Sequence, residues 1–120
     1  MSRPRKWRRI CNMPKIDVFG PCIRDININE TIQMTLEEFE TIRLIDYEGL
    51  SQEECGQIMG VARSTIQRIY NDARKKIADS IINGKYLKIK GGNYKLCDEI
   101  EGMNICKGCV RKRHRGGRNI

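Results

Sequence analysis

Histidine, aromatic residues and long apolar runs are scarce in this chain of 120 residues. It contains one histidine, one tryptophan and 6% aromatic residues in total. No apolar run approaches the ~20 residues that a membrane-spanning helix requires. The opening residues also lack the apolar stretch of a secretory signal. We therefore expect a cytoplasmic protein with no membrane partner.

The scarcity of histidine also argues against catalysis. His114 lies in a strongly basic stretch, and no candidate nucleophile in the sequence has a recognisable general base beside it. The acidic residues Asp98, Glu99 and Glu101 are typical of a solvated loop rather than of a cation site. We expect no enzymatic activity.

Positive charge exceeds negative charge, with 23 lysines and arginines against 15 acidic residues and a net charge of +8. The excess lies near the two ends, at Arg3, Arg5, Lys6, Arg8, Arg9, Lys107, Arg111, Lys112, Arg113, Arg115 and Arg118. Basic arms neutralise phosphates without reading base sequence. Arg3 and Arg5 are candidates for a minor groove, where narrow width concentrates negative potential. A solvated tail is the simpler alternative.

A capping box predicts that a helix begins at Ser51. Its hydroxyl and the carboxylate of Glu54 are spaced so that each accepts a hydrogen bond from the other residue's amide. Gly60 suits the positive φ that ends a helix. Gly56, inside the same helix, leaves room for a second helix to cross closely.

The next helix is predicted from Ala62, with a stop at Gly84. Apolar residues recur along it at three- and four-residue spacings, at Ile66, Ile69, Ala73 and Ile77. The other face carries Arg63, Ser64, Thr65, Gln67 and Arg68, followed by Arg74 and Lys75. Arginine can contact guanine bidentately and glutamine can pair with adenine. We interpret the helix over 62–76 as a DNA-recognition helix, with an ordinary helical hairpin as the alternative.

The segment 35–76 resembles region four of the sigma-70 factors. The resemblance rests on IRL at 42–44, EGLSQEE at 48–54 and GVARSTI at 60–66, preceded by a capping box at Thr35 and Glu38. With RPRKWRRIC at 3–11, FGP at 19–21 and ARKKIADS at 73–80, the chain also resembles a family of small, functionally uncharacterised prokaryotic proteins with such domains. The resemblance implies a helix-turn-helix. Ala62 departs from the usual pattern, because serine commonly caps this helix.

Cysteines provide a second chemical signal. The CKGC motif at 106–109 places two thiolates where they can bind one tetrahedral metal ion. The candidate ligands are Cys97, Cys106, Cys109 and His114, with Cys11 and Cys22 as alternative donors. Either zinc or an iron–sulfur cluster suits thiolate ligands, whereas free thiols in a reducing cytosol are the simpler alternative. We expect Cys55 to lie in the core.

These patterns predict a mainly α fold with a helix-turn-helix core. Residues 1–30 form a basic arm and extended segment, 31–84 the helix-turn-helix domain, and 85–120 a hairpin, a possible metal knuckle and a basic tail. The hairpin is predicted from the strand-like residues on either side of Gly91 and Gly92.

The function expected from the sequence is that of a sequence-specific regulator of transcription that binds double-stranded DNA. Two alternatives remain: a metal- or redox-responsive sensor, and a module that docks on RNA polymerase without specific DNA readout. A homodimer is a further possibility, since helix-turn-helix dimers bind two half-sites.

Overall fold

The computed structural model describes residues 7–22 and 30–97. Its elements are β1 (Arg8–Ile10), β2 (Val18–Phe19), β3 (Thr31–Met34), α1 (Leu36–Thr41), a π-helix (Ile42–Tyr47), α2 (Gln52–Met59), α3 (Arg63–Asn83), β4 (Tyr86–Ile89) and β5 (Tyr94–Leu96). Helices form most of the core, but the strands make the described part a mixed α/β structure. The mainly α prediction is therefore correct only in outline.

Both predicted capping boxes are present. Thr35 Oγ1 accepts a hydrogen bond from the Glu38 amide at 3.2 Å, while the Thr35 amide donates to Glu38 Oε1 at 2.9 Å. The same reciprocal pair joins Ser51 and Glu54, at 3.1 and 3.0 Å. These bonds satisfy amides that a helix start leaves without intrahelical partners. Local sequence therefore determines where α1 and α2 begin.

The close crossing of α2 and α3 depends on Gly56. A β-carbon at this position would lie 2.7 Å from the backbone oxygen of Val61 and 3.4 Å from the side chain of Ile66. Gly60 then ends α2 with a φ of 75°, and Gly84 ends α3 with a φ of 66°. The predictions for all three glycines are confirmed.

The core lies between α1, α2, α3 and the sheets. Its buried side chains include Leu36, Leu44, Met59, Ile66 and Ala73. Lys76 donates to Glu38 at 2.8 Å and so joins α3 to α1 at the edge of this core. Within the described ranges, no helix has the length and apolar character needed to cross a membrane.

The predicted hairpin around Gly91 and Gly92 is wrong, because β4 and β5 belong to different sheets. β4 lies between β2, to which it is antiparallel, and β3, to which it is parallel, whereas β5 pairs in parallel with β1. The two glycines instead carry the chain past the start of α1. There Gly91 O accepts from the Leu36 amide at 2.9 Å, and the Asn93 amide donates to Glu37 Oε1 at 2.9 Å.

A buried ionic network around Arg43, in the π-helix, fixes β1 to the helices. Arg43 donates to Glu40 at 2.9 and 2.8 Å and to Cys11 Sγ at 3.3 Å, and it lies 3.5 Å from Glu48. Burial opposes the charge of Arg43. The hydrogen bond to Glu40 and the surrounding negative groups nevertheless raise its pKa above the ordinary value. The network thus joins Cys11, which directly follows β1, to α1 and the π-helix.

Candidate nucleic-acid interface

The first turns of α3 present a polar, basic face to solvent. Arg63, Ser64, Gln67 and Arg68 are exposed, and Thr65 is half-buried. On the opposite side Ile66 is 0% and Ile69 3% exposed. Among the residues that the structure describes, neither Arg63 nor Arg68 has an ion-pair partner. The predicted readout residues therefore share one accessible helix face, with Thr65 at its edge.

The start of α3 lacks a side-chain cap. Ala62 adopts the extended conformation of a cap residue, with φ −67° and ψ 152°, but offers no side-chain acceptor. No side-chain cap therefore occupies the amides of the first turn, which carry the positive end of the helix dipole. A phosphate group would be favourable at this end of α3.

Further along α3, Arg74 is partly engaged within the protein. Its guanidinium lies 3.8 Å from Asp46 and 5.3 Å from the centre of the Tyr70 ring. The Tyr70 hydroxyl donates to the same carboxylate at 2.7 Å, and partial burial together with this bond raises the Tyr70 pKa. Lys75 is exposed. Arg74 is exposed as well, but it also pairs with Asp46 of the π-helix.

The sequence placed Arg9 in a basic N-terminal arm, whereas the structure puts its guanidinium beside the turn between α2 and α3. A β-carbon on Gly60 would meet one terminal nitrogen of the Arg9 guanidinium at 3.0 Å. Arg8, the neighbouring residue in β1, points elsewhere and lies 3.9 Å from Glu37. Successive side chains of a strand point to opposite faces, so Arg8 and Arg9 lie on different faces of β1. Recognition of a strand at 8–10 would have been the signal for this difference.

The candidate metal ligands are only partly described. Cys11 and Cys97 are buried and directly follow Ile10 and Leu96, which are partners in the β1–β5 register. Cys22 is exposed. The remaining candidates, Cys106, Cys109 and His114, lie outside the described residues, as do Arg3 and Arg5. Residues 7–22 and 30–97 contain no group of three or more potential ligands placed to hold a metal ion.

Cys55 is a core residue rather than a ligand. It is 0% exposed, and its thiol lies 3.7 Å from the sulfur of Met59. Burial, reinforced by the negative charge of Glu40, raises the pKa of the Cys55 thiol to about 12. A neutral thiol is a poor metal ligand, because the thiolate is the binding form. The core prediction for Cys55 is confirmed.

The described part of the protein is thus a small helical core with two sheets, whose longest helix exposes a basic, polar face. The chain belongs to the family described as "Protein of unknown function DUF134", whose profile matches residues 1–97. The predicted membership of an uncharacterised prokaryotic family is confirmed.

Three relatives illustrate the similarity, and each is named only as a UPF0251 protein. That of Desulfitobacterium hafniense (strain Y51) is 50% identical over 117 residues, covering 98% of this chain and 93% of the relative. Those of Caldanaerobacter subterraneus subsp. tengcongensis and Thermoanaerobacter pseudethanolicus are 46% and 42% identical. The first alignment covers 82% of this chain and 84% of the relative, and the second 98% and 95%. No solved structure matches the chain.

Proposed function

We propose that this protein binds double-stranded DNA sequence-specifically and regulates transcription in the cytoplasm. In this proposal α2 and α3 form a helix-turn-helix like that of sigma-70 region four, and α3 enters the major groove. The observation that carries it is the exposed row of Arg63, Ser64, Gln67 and Arg68 opposite the buried side of the same helix.

The arrangement of the helices supports this proposal. α2 ends at Gly60 in the left-handed conformation, and α3 begins at Arg63 after a short turn. α3 has 21 residues and is therefore about 30 Å long, and a helix of this diameter fits the major groove. One side of α3 packs against the core, so the opposite side is available to a partner.

The side chains on the exposed face suit distinct contacts. Arg63 and Arg68 can each donate two hydrogen bonds to guanine, and Gln67 can pair with adenine. Contacts to DNA phosphates suit Ser64, Thr65 and Lys75. Arg74 can make the same kind of contact if it leaves Asp46. Arg3 and Arg5 are proposed for the minor groove.

Selection of DNA from a random pool, at near-physiological salt, tests the proposal. The selected site and a scrambled site are then used to compare Arg68→Ala with Lys90→Ala, which removes an exposed charge after β4. A bidentate base contact gives about 1–3 kcal/mol of discrimination. Arg68→Ala should therefore weaken binding to the selected site about tenfold or more, and weaken binding to the scrambled site much less.

The other outcomes of this experiment are equally informative. Equal losses on the two sites would limit Arg68 to phosphate contact. The absence of any enriched sequence, with circular dichroism showing a folded protein, would contradict sequence-specific binding. If salt-sensitive DNA binding is also missing, docking on RNA polymerase becomes the better proposal.

A metal- or redox-linked response is a second candidate, favoured by the positions of Cys11 and Cys97. These two thiols follow paired residues of neighbouring strands, and Cys11 Sγ accepts a hydrogen bond from the Arg43 guanidinium. Zinc or an iron–sulfur cluster would require further ligands from Cys106, Cys109, His114 or Cys22. Repeating the selection with a chelator tests whether such a group supports DNA binding, and a palindromic selected site would indicate a homodimer.

A further inference from the structure

The parallel pair formed by β1 and β5 carries an aromatic and basic surface, in which Trp7 and Lys95 are exposed and Arg9 is half-buried. Arg9 and Lys95 are register partners, so their side chains emerge on the same face, and Trp7 precedes Arg9 by two residues on that face. Lys95 Nζ lies 5.9 Å from the centre of the Trp7 ring, and Trp7 is 56% exposed. We call Trp7, Arg9 and Lys95 the ribbon surface.

The ribbon surface adjoins the turn that leads into α3. The Arg9 guanidinium lies against Gly60, two residues before Ala62 at the start of α3. On the opposite face of β1, Arg8 lies 3.9 Å from Glu37. Positive charge from both strands is therefore placed on the side of the ribbon that is close to the start of α3.

We propose that the ribbon surface is a second DNA contact, which binds the phosphate backbone beside the groove that α3 occupies. This inference rests on the proposed DNA-binding function. Arg9 and Lys95 supply cations for phosphates, and the Trp7 indole N–H is a further donor. Such contacts carry no base preference, so they add affinity and orient α3 without changing the sequence that it reads.

Intrinsic fluorescence can test this contact directly, because Trp7 is the one tryptophan in the chain. DNA binding is first measured independently, from the anisotropy of a fluorescein-labelled duplex. Acrylamide quenching of Trp7 is then compared in free protein and in protein saturated with unlabelled duplex. If the ribbon surface contacts DNA, the bound protein should show markedly weaker quenching than the free protein.

Charge-removing variants give a second measurement. Arg9→Gln/Lys95→Gln is compared with Lys15→Gln/Lys90→Gln, which removes the same charge from exposed positions elsewhere. Each phosphate contact contributes about −0.9 to the slope of log K against log salt, so the ribbon variant should flatten the slope by about 1.8. Its preferred base sequence should be unchanged, and the control variant should retain the wild-type slope.

Two results would overturn the inference, and they can be distinguished. In the first, the protein binds duplex DNA, Trp7 quenching is unaltered, and the salt slope of the ribbon variant matches that of the control. This result would refute the ribbon contact and leave the proposal of DNA binding by α3 standing. The absence of any salt-sensitive duplex binding by the wild-type protein would overturn both proposals. Because the quenching measurement uses the unmodified protein, its result stands even if the ribbon variant folds poorly.

Discussion

Gly56 has only a hydrogen atom where every other residue has a β-carbon. Alanine favours a helix interior over glycine by about 1 kcal/mol, so propensity alone predicts that Gly56→Ala stabilises α2. The β-carbon of an alanine, however, would lie 2.7 Å from Val61 O, which is a backbone atom that cannot rotate away. Overpacking of this kind costs about 1–3 kcal/mol.

We therefore expect Gly56→Ala to lower the free energy of unfolding measured in urea. Gln57→Ala is the matched control, since it introduces the same residue at an exposed position of α2. The control should differ little from the wild-type protein. Equal stability of the two variants would show that α2 and the turn before α3 separate easily, and that the crossing does not require glycine.

At the scale of elements, the start of α3 lacks a side-chain cap, and a substitution there is expected to raise the free energy of unfolding rather than lower it. Ala62 already has the backbone conformation of a cap residue, so Ala62→Ser adds an acceptor without moving the chain. We expect thermal or urea unfolding to show a gain of about 1 kcal/mol. Ala78→Ser, at an exposed interior position of the same helix, should instead be slightly destabilising. A loss of stability in both variants would mean that serine does not cap α3.

The elements that local signals determine were predictable, and those that depend on distant partners were not. Thr35 with Glu38, and Ser51 with Glu54, specify helix starts over four residues, and the structure contains both capping boxes. The strands on either side of Gly91 were also anticipated. Their pairing was not, because the choice between a hairpin and separate sheets depends on contacts with α1 and β1.

The same distinction applies to the candidate interface. Helical periodicity alone identified the exposed face that contains Arg63, Gln67 and Arg68. It could not show that Arg74 is paired with Asp46, since that partner is 28 positions away in sequence. The position of Arg9 was not predictable for a similar reason, because only the packing of β1 places it beside Gly60.

At the scale of the whole molecule, the described fold is closed by contacts between its first and last strands. β1 and β5 pair with each other, and Ile10 and Leu96, which are register partners, both contact the core. The Arg43 network adds a second connection, between Cys11 directly after β1 and the helices. Because β1 is held at one edge by β5, loss of β5 should weaken the attachment of the N-terminal residues as well.

Two truncated chains test this dependence. Residues 1–97 contain every described element and the whole of the family match, so we expect this chain to unfold cooperatively with nearly the stability of the full protein. Residues 1–92 lack β5, and with it the partly buried side chains of Tyr94 and Leu96. Their loss should lower the free energy of unfolding by about 2–4 kcal/mol, given the usual contribution of buried apolar side chains.

Comparison with the full chain also tests the metal hypothesis. A structural metal site contributes its binding energy to folding, and a chelator removes that contribution. If Cys97 shares a metal with Cys106, Cys109 and His114, the full chain should lose stability in chelator and approach the stability of residues 1–97. If chelator leaves the full chain unchanged and its stability matches that of residues 1–97, a metal makes no contribution to this fold.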